Sequence, residues 1–100
     1  MSFGLPQKAV EGIRRVLADH PEVDKAMLYG SRAKGNYRKG SDIDLALQGK
    51  GLDLQKLSRI SSELDDLLLP YEIDVSIMHD IDNDALIEHI ERVGVEFYRK

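Results

Sequence analysis

The sequence predicts a protein of the α/β or α+β class, with one small β-sheet and helices packed on one face of it. Three short segments, at 23–29, 43–48 and 71–78, are rich in apolar residues and bounded by Gly, Pro or loop residues, as strands are. Segments around them repeat apolar residues every three or four positions, the first starting near Pro6, and these are predicted as helices. A chain of 100 residues, 42% of them hydrophobic, has room for one core, so residues 1–100 are predicted to form a single domain.

The second and the last predicted helices have recognisable starts. Asp53 precedes an apolar stripe that runs to Leu68 and is predicted as the N-cap of the second helix. Asp82 is predicted as the N-cap of the last helix, which should end at Gly94. Helices that alternate with strands in this way pack on a sheet, and the other sheet face is expected to stay partly open.

Composition excludes several classes of function. The net charge of −4 argues against general nucleic-acid binding, although Lys and Arg concentrate between positions 32 and 50, which fits a compact anionic ligand. The absence of cysteine excludes disulfides, thiolate zinc sites and a thiol nucleophile. No secretory signal and no apolar run of the roughly 20 residues that a membrane helix needs is present, so a cytoplasmic location is expected.

Three aspartates on two predicted strands are the candidate reactive groups. Asp42 and Asp44 are one residue apart, so both side chains should leave the strand on the face opposite to Ile43. Asp74 lies within the third predicted strand between two apolar residues and should also point away from the core. If the two strands are neighbours, the three carboxylates converge on one patch.

Converging carboxylates require compensation. Two of them about 4 Å apart repel by roughly 4 kcal/mol at an effective dielectric constant near 20. The cluster therefore splays into water, takes up protons or binds cations, and Mg²⁺ prefers such oxygen ligands. The alternative is an ordinary polar sheet face, but aspartate is depleted in strand interiors and two strands carry it here.

A turn at Gly30-Ser31 follows the first predicted strand. Glycine at a strand end lets the backbone approach a ligand closely, and a short helix after it would direct free N–H groups at an anion. The Ser31 hydroxyl and these amides would bind terminal phosphates, with Arg32 or Lys34 adding positive charge. Taken alone, this segment could equally be an ordinary turn with solvated basic residues.

The set of motifs resembles a known family. Gly30-Ser31, ten residues, and Asp42-x-Asp44, followed by Asp74, are similar to the signature of the DNA polymerase β-like nucleotidyltransferases. The similarity is greatest to the minimal (MNT-type) members, which are single domains of about this size. It implies the polymerase β-like nucleotidyltransferase fold, with a small mixed sheet.

The resemblance also implies roles for the residues and a partner. In the family the first two acidic residues hold two Mg²⁺ ions, a role that falls to Asp42 and Asp44. The third, here Asp74, belongs to the same metal-bearing site and helps to position and deprotonate the incoming hydroxyl. The Gly-Ser turn holds the β and γ phosphates of a nucleoside triphosphate such as ATP. Several members are antitoxins that transfer AMP from ATP to a tyrosine of a small helical HEPN toxin.

Two other functions remain open on the sequence. One is a non-catalytic module of the same fold that binds a partner or a nucleotide. The other is nucleotidyl transfer to a small molecule such as an aminoglycoside, which the lack of a second domain disfavours. A calcium loop starting at Asp80 is rejected because Ala85 stands where such a loop needs glycine. The histidines are interpreted as solvated or internally satisfied, and Tyr29 as a packing residue.

Overall fold

A computed structural model describes residues 3–38 and 40–100 of the chain. The parts of the sequence predictions that fall on residues 1, 2 and 39 lie outside the described residues. The elements in chain order are α1 (Gln7–Ala18), β1 (Lys25–Tyr29), α2 (Ser31–Lys34), β2 (Ile43–Gln48), α3 (Leu54–Asp65), β3 (Ile73–Ile77), a 3₁₀ turn (Met78–Asp80), α4 (Asp84–Val93) and β4 (Val95–Arg99). Among the described residues, none of these helices is long and apolar enough to cross a membrane.

The four strands form one mixed sheet in the order β3-β2-β1-β4. Strands β1 and β2 are antiparallel, as are β1 and β4, whereas β2 and β3 are parallel. The parallel pair is possible because the chain between β2 and β3 is long enough to cross over, and α3 forms that crossover. The predicted class, with a small mixed sheet, is confirmed.

One face of the sheet carries the main core, against which α1 and α3 pack. Alternate residues of β2 supply its centre, with Ile43, Leu45 and Leu47 fully buried. These residues pack with the apolar stripes of α1 and α3, as the predicted one-sided packing requires.

The last helix, α4, lies against the opposite face. Its buried Ile90 packs with Tyr29 and Ala46, which belong to β1 and β2. The prediction that the helices share one face is therefore wrong for α4, although the part of that face beside Asp44 and Asp74 stays open. Helical periodicity shows that one side of α4 is apolar, but it does not show which sheet face that side covers.

Helix starts follow the predicted chemistry with one correction. The Asp53 side chain accepts a hydrogen bond from the Lys56 amide at 2.9 Å and caps α3 as predicted. At α4 the cap is Asn83, whose side chain accepts from the Leu86 amide at 3.1 Å, so the prediction of Asp82 was wrong by one residue. Both residue types are good caps, and their order alone does not decide between them.

The C-terminal segment contains a strand that the sequence did not predict. After α4 ends, β4 pairs with β1 and buries Phe97, which is 1% exposed. Helix α3 also ends earlier than its leucine stripe indicates. Leu68 lies beyond it with a φ of 55° and is 87% exposed, so it does not belong to the helix or to the core.

Candidate active site

The pairing of β2 with β3 brings two of the three predicted aspartates side by side. Asp44 is the direct partner of Asp74 in the parallel register. Adjacent strands lie about 4.8 Å apart, and paired residues point to the same face. Because Ile43 and Leu45 enter the main core, Asp44 and Asp74 leave the sheet on the opposite, open face.

Asp42 stands immediately before β2 and is exposed. It lines a shallow depression of about 440 Å³ together with Asp74 and with Ser61 and Asp65 of α3. The depression reaches solvent beside β3, which is the edge strand of the sheet. Asp44 is not among the residues that line this depression, which lies between α3 and the edge strand.

Asp44 carries the clearest electrostatic sign of crowding. Burial raises the pKa of its carboxyl, and the neighbouring charges of Asp74 and Asp42 raise it further, while His89 lowers it. The ionised form of Asp44 is therefore disfavoured by its surroundings, and a cation between these carboxylates would remove that disadvantage.

The three carboxylates are ligands of the type that a hard cation prefers, but their side chains do not converge closely enough to bind one as they stand. In residues 3–38 and 40–100, no group of three His, Cys, Asp or Glu side chains is arranged closely enough to hold a metal ion as it stands. Asp42, Asp44 and Asp74 supply only oxygen donors, which is the set that Mg²⁺ prefers. Two of the three side chains are exposed, so they can turn toward an ion without repacking the core.

The Gly30-Ser31 turn lies against Asp44. Gly30 has φ 79° and ψ −156°, a conformation that only glycine adopts readily. A Cβ atom at this position would overlap a carboxylate oxygen of Asp44. The turn leads directly into α2, where the first helical hydrogen bond runs from the Lys34 amide to the Gly30 carbonyl. The amides at the start of α2 thus precede the helical ladder, next to the carboxylates.

Arg32 makes structural contacts that the sequence did not predict. It is 3% exposed, and its guanidinium donates to the Ser41 carbonyl through Nε and Nη2 and to the Phe3 carbonyl through Nη1, at 2.8 to 3.1 Å. The group also lies over the rings of Tyr37 and Tyr71, with its Cζ 5.3 and 4.9 Å from their centroids. The two bonds to the Ser41 carbonyl fasten the residue before Asp42, and the other contacts tie the guanidinium to Phe3 and to the two tyrosines. Phosphate binding by Arg32 remains a prediction.

Comparison with known proteins identifies the family. Residues 11–100 match the family described as Polymerase beta, Nucleotidyltransferase. The chain belongs to this nucleotidyltransferase family. No curated protein matches it.

Several solved structures share the fold. A chain of a toxin–antitoxin complex with AMP-PNP is 22% identical and superposes with a TM-score of 0.74 over 91% of this chain and 73% of that chain. A chain of the complex of a tri-AMPylated Shewanella oneidensis HEPN toxin with its MNT antitoxin is 20% identical, with a TM-score of 0.70 over 94% and 72%. A structure named as a candidate minimal nucleotidyltransferase is 24% identical, with a TM-score of 0.71 over 95% of both chains. The predicted fold and family resemblance are confirmed.

Two residues near the nucleotidyltransferase motif were not predicted as part of the site. Tyr29 precedes Gly30 and is buried beside the carboxylates. Burial raises the pKa of its phenol and the charges of Asp44 and Asp74 raise it further, whereas a hydrogen bond with Ser76 lowers it. Because Tyr29 is the direct cross-strand partner of Asp44, its ring borders the acidic patch.

His89 of α4 reaches the same turn from the other side. The Gly30 amide donates to His89 Nε2 at 3.2 Å, and the imidazole meets the Tyr29 ring edge-on, with centroids 6.2 Å apart and planes at 81°. The sequence offers no sign of this contact, since His89 lies 59 residues from Gly30 and in no metal-binding spacing. The contact between His89 and Gly30 becomes apparent only from the packing of α4 on the sheet face that carries Asp44.

Proposed function

We propose that this protein is a Mg²⁺-dependent nucleotidyltransferase that transfers AMP from ATP to a tyrosine of a helical HEPN-type toxin and thereby acts as its antitoxin. One observation supports this most strongly. Asp44 and Asp74 are direct partners on adjacent strands, and the Gly30 backbone lies against the Asp44 carboxylate. A phosphate-binding turn and a pair of cation-binding carboxylates within one ligand length of each other are what nucleotidyl transfer needs.

The acidic side chains would bind the metal ions. Asp42 and Asp44, with Asp74, would hold the Mg²⁺ ions. Bound Mg²⁺ stabilises negative charge on the phosphates and on the departing pyrophosphate. Burial, and then the negative charges of Asp74 and Asp42, raise the pKa of Asp44, and bound cations would favour its ionised form.

The turn would bind the triphosphate. Ser31 is half-buried, and its hydroxyl and the amides at the start of α2 are donors next to Asp44. Lys34 is exposed at the end of α2 and would add a mobile positive charge. This arrangement directs the β and γ phosphates to the turn and leaves the α phosphate near the carboxylates.

Asp74 would serve the acceptor. It is exposed on the edge strand and lines two adjoining depressions, one with Asp42 and one with Ser58 and Leu54 of α3. An acceptor hydroxyl that enters from this edge meets Asp74 first. The carboxylate takes up the hydroxyl proton, the oxygen forms a bond to the α phosphorus, and the bond to pyrophosphate breaks.

A partner protein explains how so small a domain obtains its acceptor. The depressions beside β3 are shallow and open, so the part of the chain that the structure describes forms no enclosed cradle around Asp74 for a second substrate. Similar solved structures include a complex of an AMPylated HEPN toxin with an MNT antitoxin. A folded partner that presents a tyrosine at the β3 edge would complete the site.

The test is to incubate the protein with a HEPN-type partner, ATP and Mg²⁺ and to measure the intact mass of the partner. A gain of whole AMP units is expected, and it should disappear with EDTA and in the Asp42→Asn/Asp44→Asn double variant. Asp24→Asn is the matched control, because Asp24 precedes β1 at the end of the strand remote from Gly30.

The alternative functions predict different results. A non-catalytic module would neutralise the partner without any mass gain, and the double variant would do so equally well. An enzyme for small molecules would leave the partner unmodified but consume ATP in the presence of an aminoglycoside. Either result would refute the proposed protein adenylylation.

A further inference from the structure

The contact between α4 and the phosphate-binding turn has no place in the reaction described so far. Gly30 is the first residue of that turn, and its amide is directed at His89 Nε2 rather than at the space where phosphates would bind. Within residues 3–38 and 40–100, the side chain that binds the Gly30 amide therefore comes from a segment 59 residues away.

The backbone at Gly30 requires such an anchor. With φ 79° and ψ −156° it lies outside the ordinary strand and helix regions, and glycine has many other conformations available. A hydrogen bond from the Gly30 amide selects one of these conformations. The direction of the following Ser31 hydroxyl and of the α2 amides depends on that selection.

The imidazole is itself well fixed. Its neighbour in sequence, Ile90, is 2% exposed and packs on Ala46 and Tyr29, so α4 is held firmly against the sheet. The edge-on contact with the Tyr29 ring orients the imidazole plane. An acceptor on a packed helix is a more rigid support for a turn than one on a loop would be.

From this geometry we propose that His89 is a positioning residue, which through its Nε2 atom holds the Gly30-Ser31 turn in the conformation that receives the triphosphate of ATP. The role in ATP binding rests on the proposed function, whereas the hold on the turn does not. Since Nε2 accepts a hydrogen bond from the Gly30 amide, the neutral imidazole carries its proton on Nδ1.

The first experiment needs neither ATP nor a partner. Hydrogen exchange at the Gly30 amide is measured by NMR in the intact protein and in two His89 variants. In His89→Leu, which has no acceptor, exchange should accelerate about tenfold, as expected for one lost hydrogen bond of roughly 1–1.5 kcal/mol. In His89→Gln, whose side-chain oxygen reaches a similar position, it should stay within about threefold of the parent.

A matched control separates this role from general destabilisation of α4. Glu88→Gln removes the exposed ion pair with Arg92 on the same helix and should leave Gly30 exchange unchanged. Faster hydrogen exchange of the Gly30 amide in all three variants, or in none, would overturn the assignment of His89 as the support of the turn.

The second experiment measures ATP kinetics of the same variants. His89→Leu should raise the KM for ATP about tenfold with kcat within about threefold of the parent, and His89→Gln should restore most of the affinity. A fall in kcat alone, or an unchanged KM despite faster Gly30 exchange, would refute the positioning role toward ATP. If the parent protein transfers no AMP while the exchange results hold, the proposed function fails and the hold on the turn stands.

Discussion

The two faces of the sheet are made from the same strands but have different tasks. Among the residues that the structure describes, sixteen buried ones form one continuous core on the face toward α1 and α3, whereas three form the cluster under α4. Successive residues of β2 alternate between them, since Ile43 and Leu45 are fully buried and Asp44 between them borders the open site.

The difference shows where stability and function reside. The first face gains free energy from apolar burial, at about 25 cal/mol per Å². On the second face, burial and then the charges of Asp74 and Asp42 raise the pKa of Asp44, so ionisation of Asp44 opposes folding. Substitutions at adjacent positions of one strand should therefore have opposite effects on stability.

The largest effect is expected from Leu45→Ala on the core face. Leu45 is fully buried, and such truncations remove about 2–5 kcal/mol from the free energy of unfolding. Urea denaturation measures the loss, and Ile43→Val, expected to cost about 1 kcal/mol, gives a milder comparison if the first variant does not fold. Losses below about 0.5 kcal/mol in both would contradict the assignment of this face as the main core.

Arg32→Lys should rank second and tests the contacts that fasten the segment before Asp42. Lysine keeps the charge but loses the paired donors to the Ser41 carbonyl and the stacking on both tyrosines, at a cost of about 2 kcal/mol. Thermal unfolding should show a lower Tm, while Arg59→Lys at an exposed position of α3 should not. An unchanged Tm with a raised KM for ATP would instead indicate that Arg32 binds the triphosphate.

Asp44→Asn should change stability in the opposite direction and by less. The folded-state pKa of Asp44 is raised, so its ionised form destabilises the fold at pH values above that pKa, and the effect vanishes below the ordinary aspartate pKa of about 3.9. Without Mg²⁺, the Tm of the variant at pH 7 should lie about 2–4 °C above that of the parent. The rise is small because solvent in the partly open site screens much of the repulsion. Near pH 3.5 the two Tm values should be equal. A lower Tm at pH 7 would show that the carboxylate stabilises the fold.

The smallest effect is expected from Lys34→Ala. Lys34 is exposed, and an exposed charge contributes roughly 0.2–1 kcal/mol, so the KM for ATP should rise about threefold while the Tm stays within about 1 °C. Lys50→Ala, in the exposed turn after β2, is the control and should change neither quantity. Equal effects of the two variants would mean that Lys34 has no specific contact with the triphosphate.

The sequence predicted the parts of the molecule that depend on local pattern. Alternation in β2 and β3 predicted which side chains leave the core, and the structure adds that these two strands are neighbours in register. The catalytic and binding roles of Asp42, Asp44, Asp74 and Ser31 remain predictions, because the comparisons establish the fold and the family rather than the chemistry of single residues.

The features that were missed depend on contacts between distant segments. Periodicity gives the apolar side of α4 but not the sheet face that it covers, so the approach of His89 to Gly30 was invisible. Arg32 was predicted to bind phosphate because it follows the turn, and nothing in the sequence indicated that its side chain bonds to carbonyls nine and 29 residues away. Strand β4 was missed because Gly94 was interpreted only as a helix end, although Phe97 after it completes the main core.

The parallel register of β2 and β3 has a consequence for folding accuracy. A slip by one residue would exchange the faces of β3, turning Ile73 and Val75 toward water and Asp74 into the apolar layer. Burying an unpaired carboxylate there would cost several kcal/mol, so misaligned chains are strongly disfavoured. Asp74, which is proposed to receive the proton of the acceptor hydroxyl, therefore also favours the correct alignment of β3 on β2.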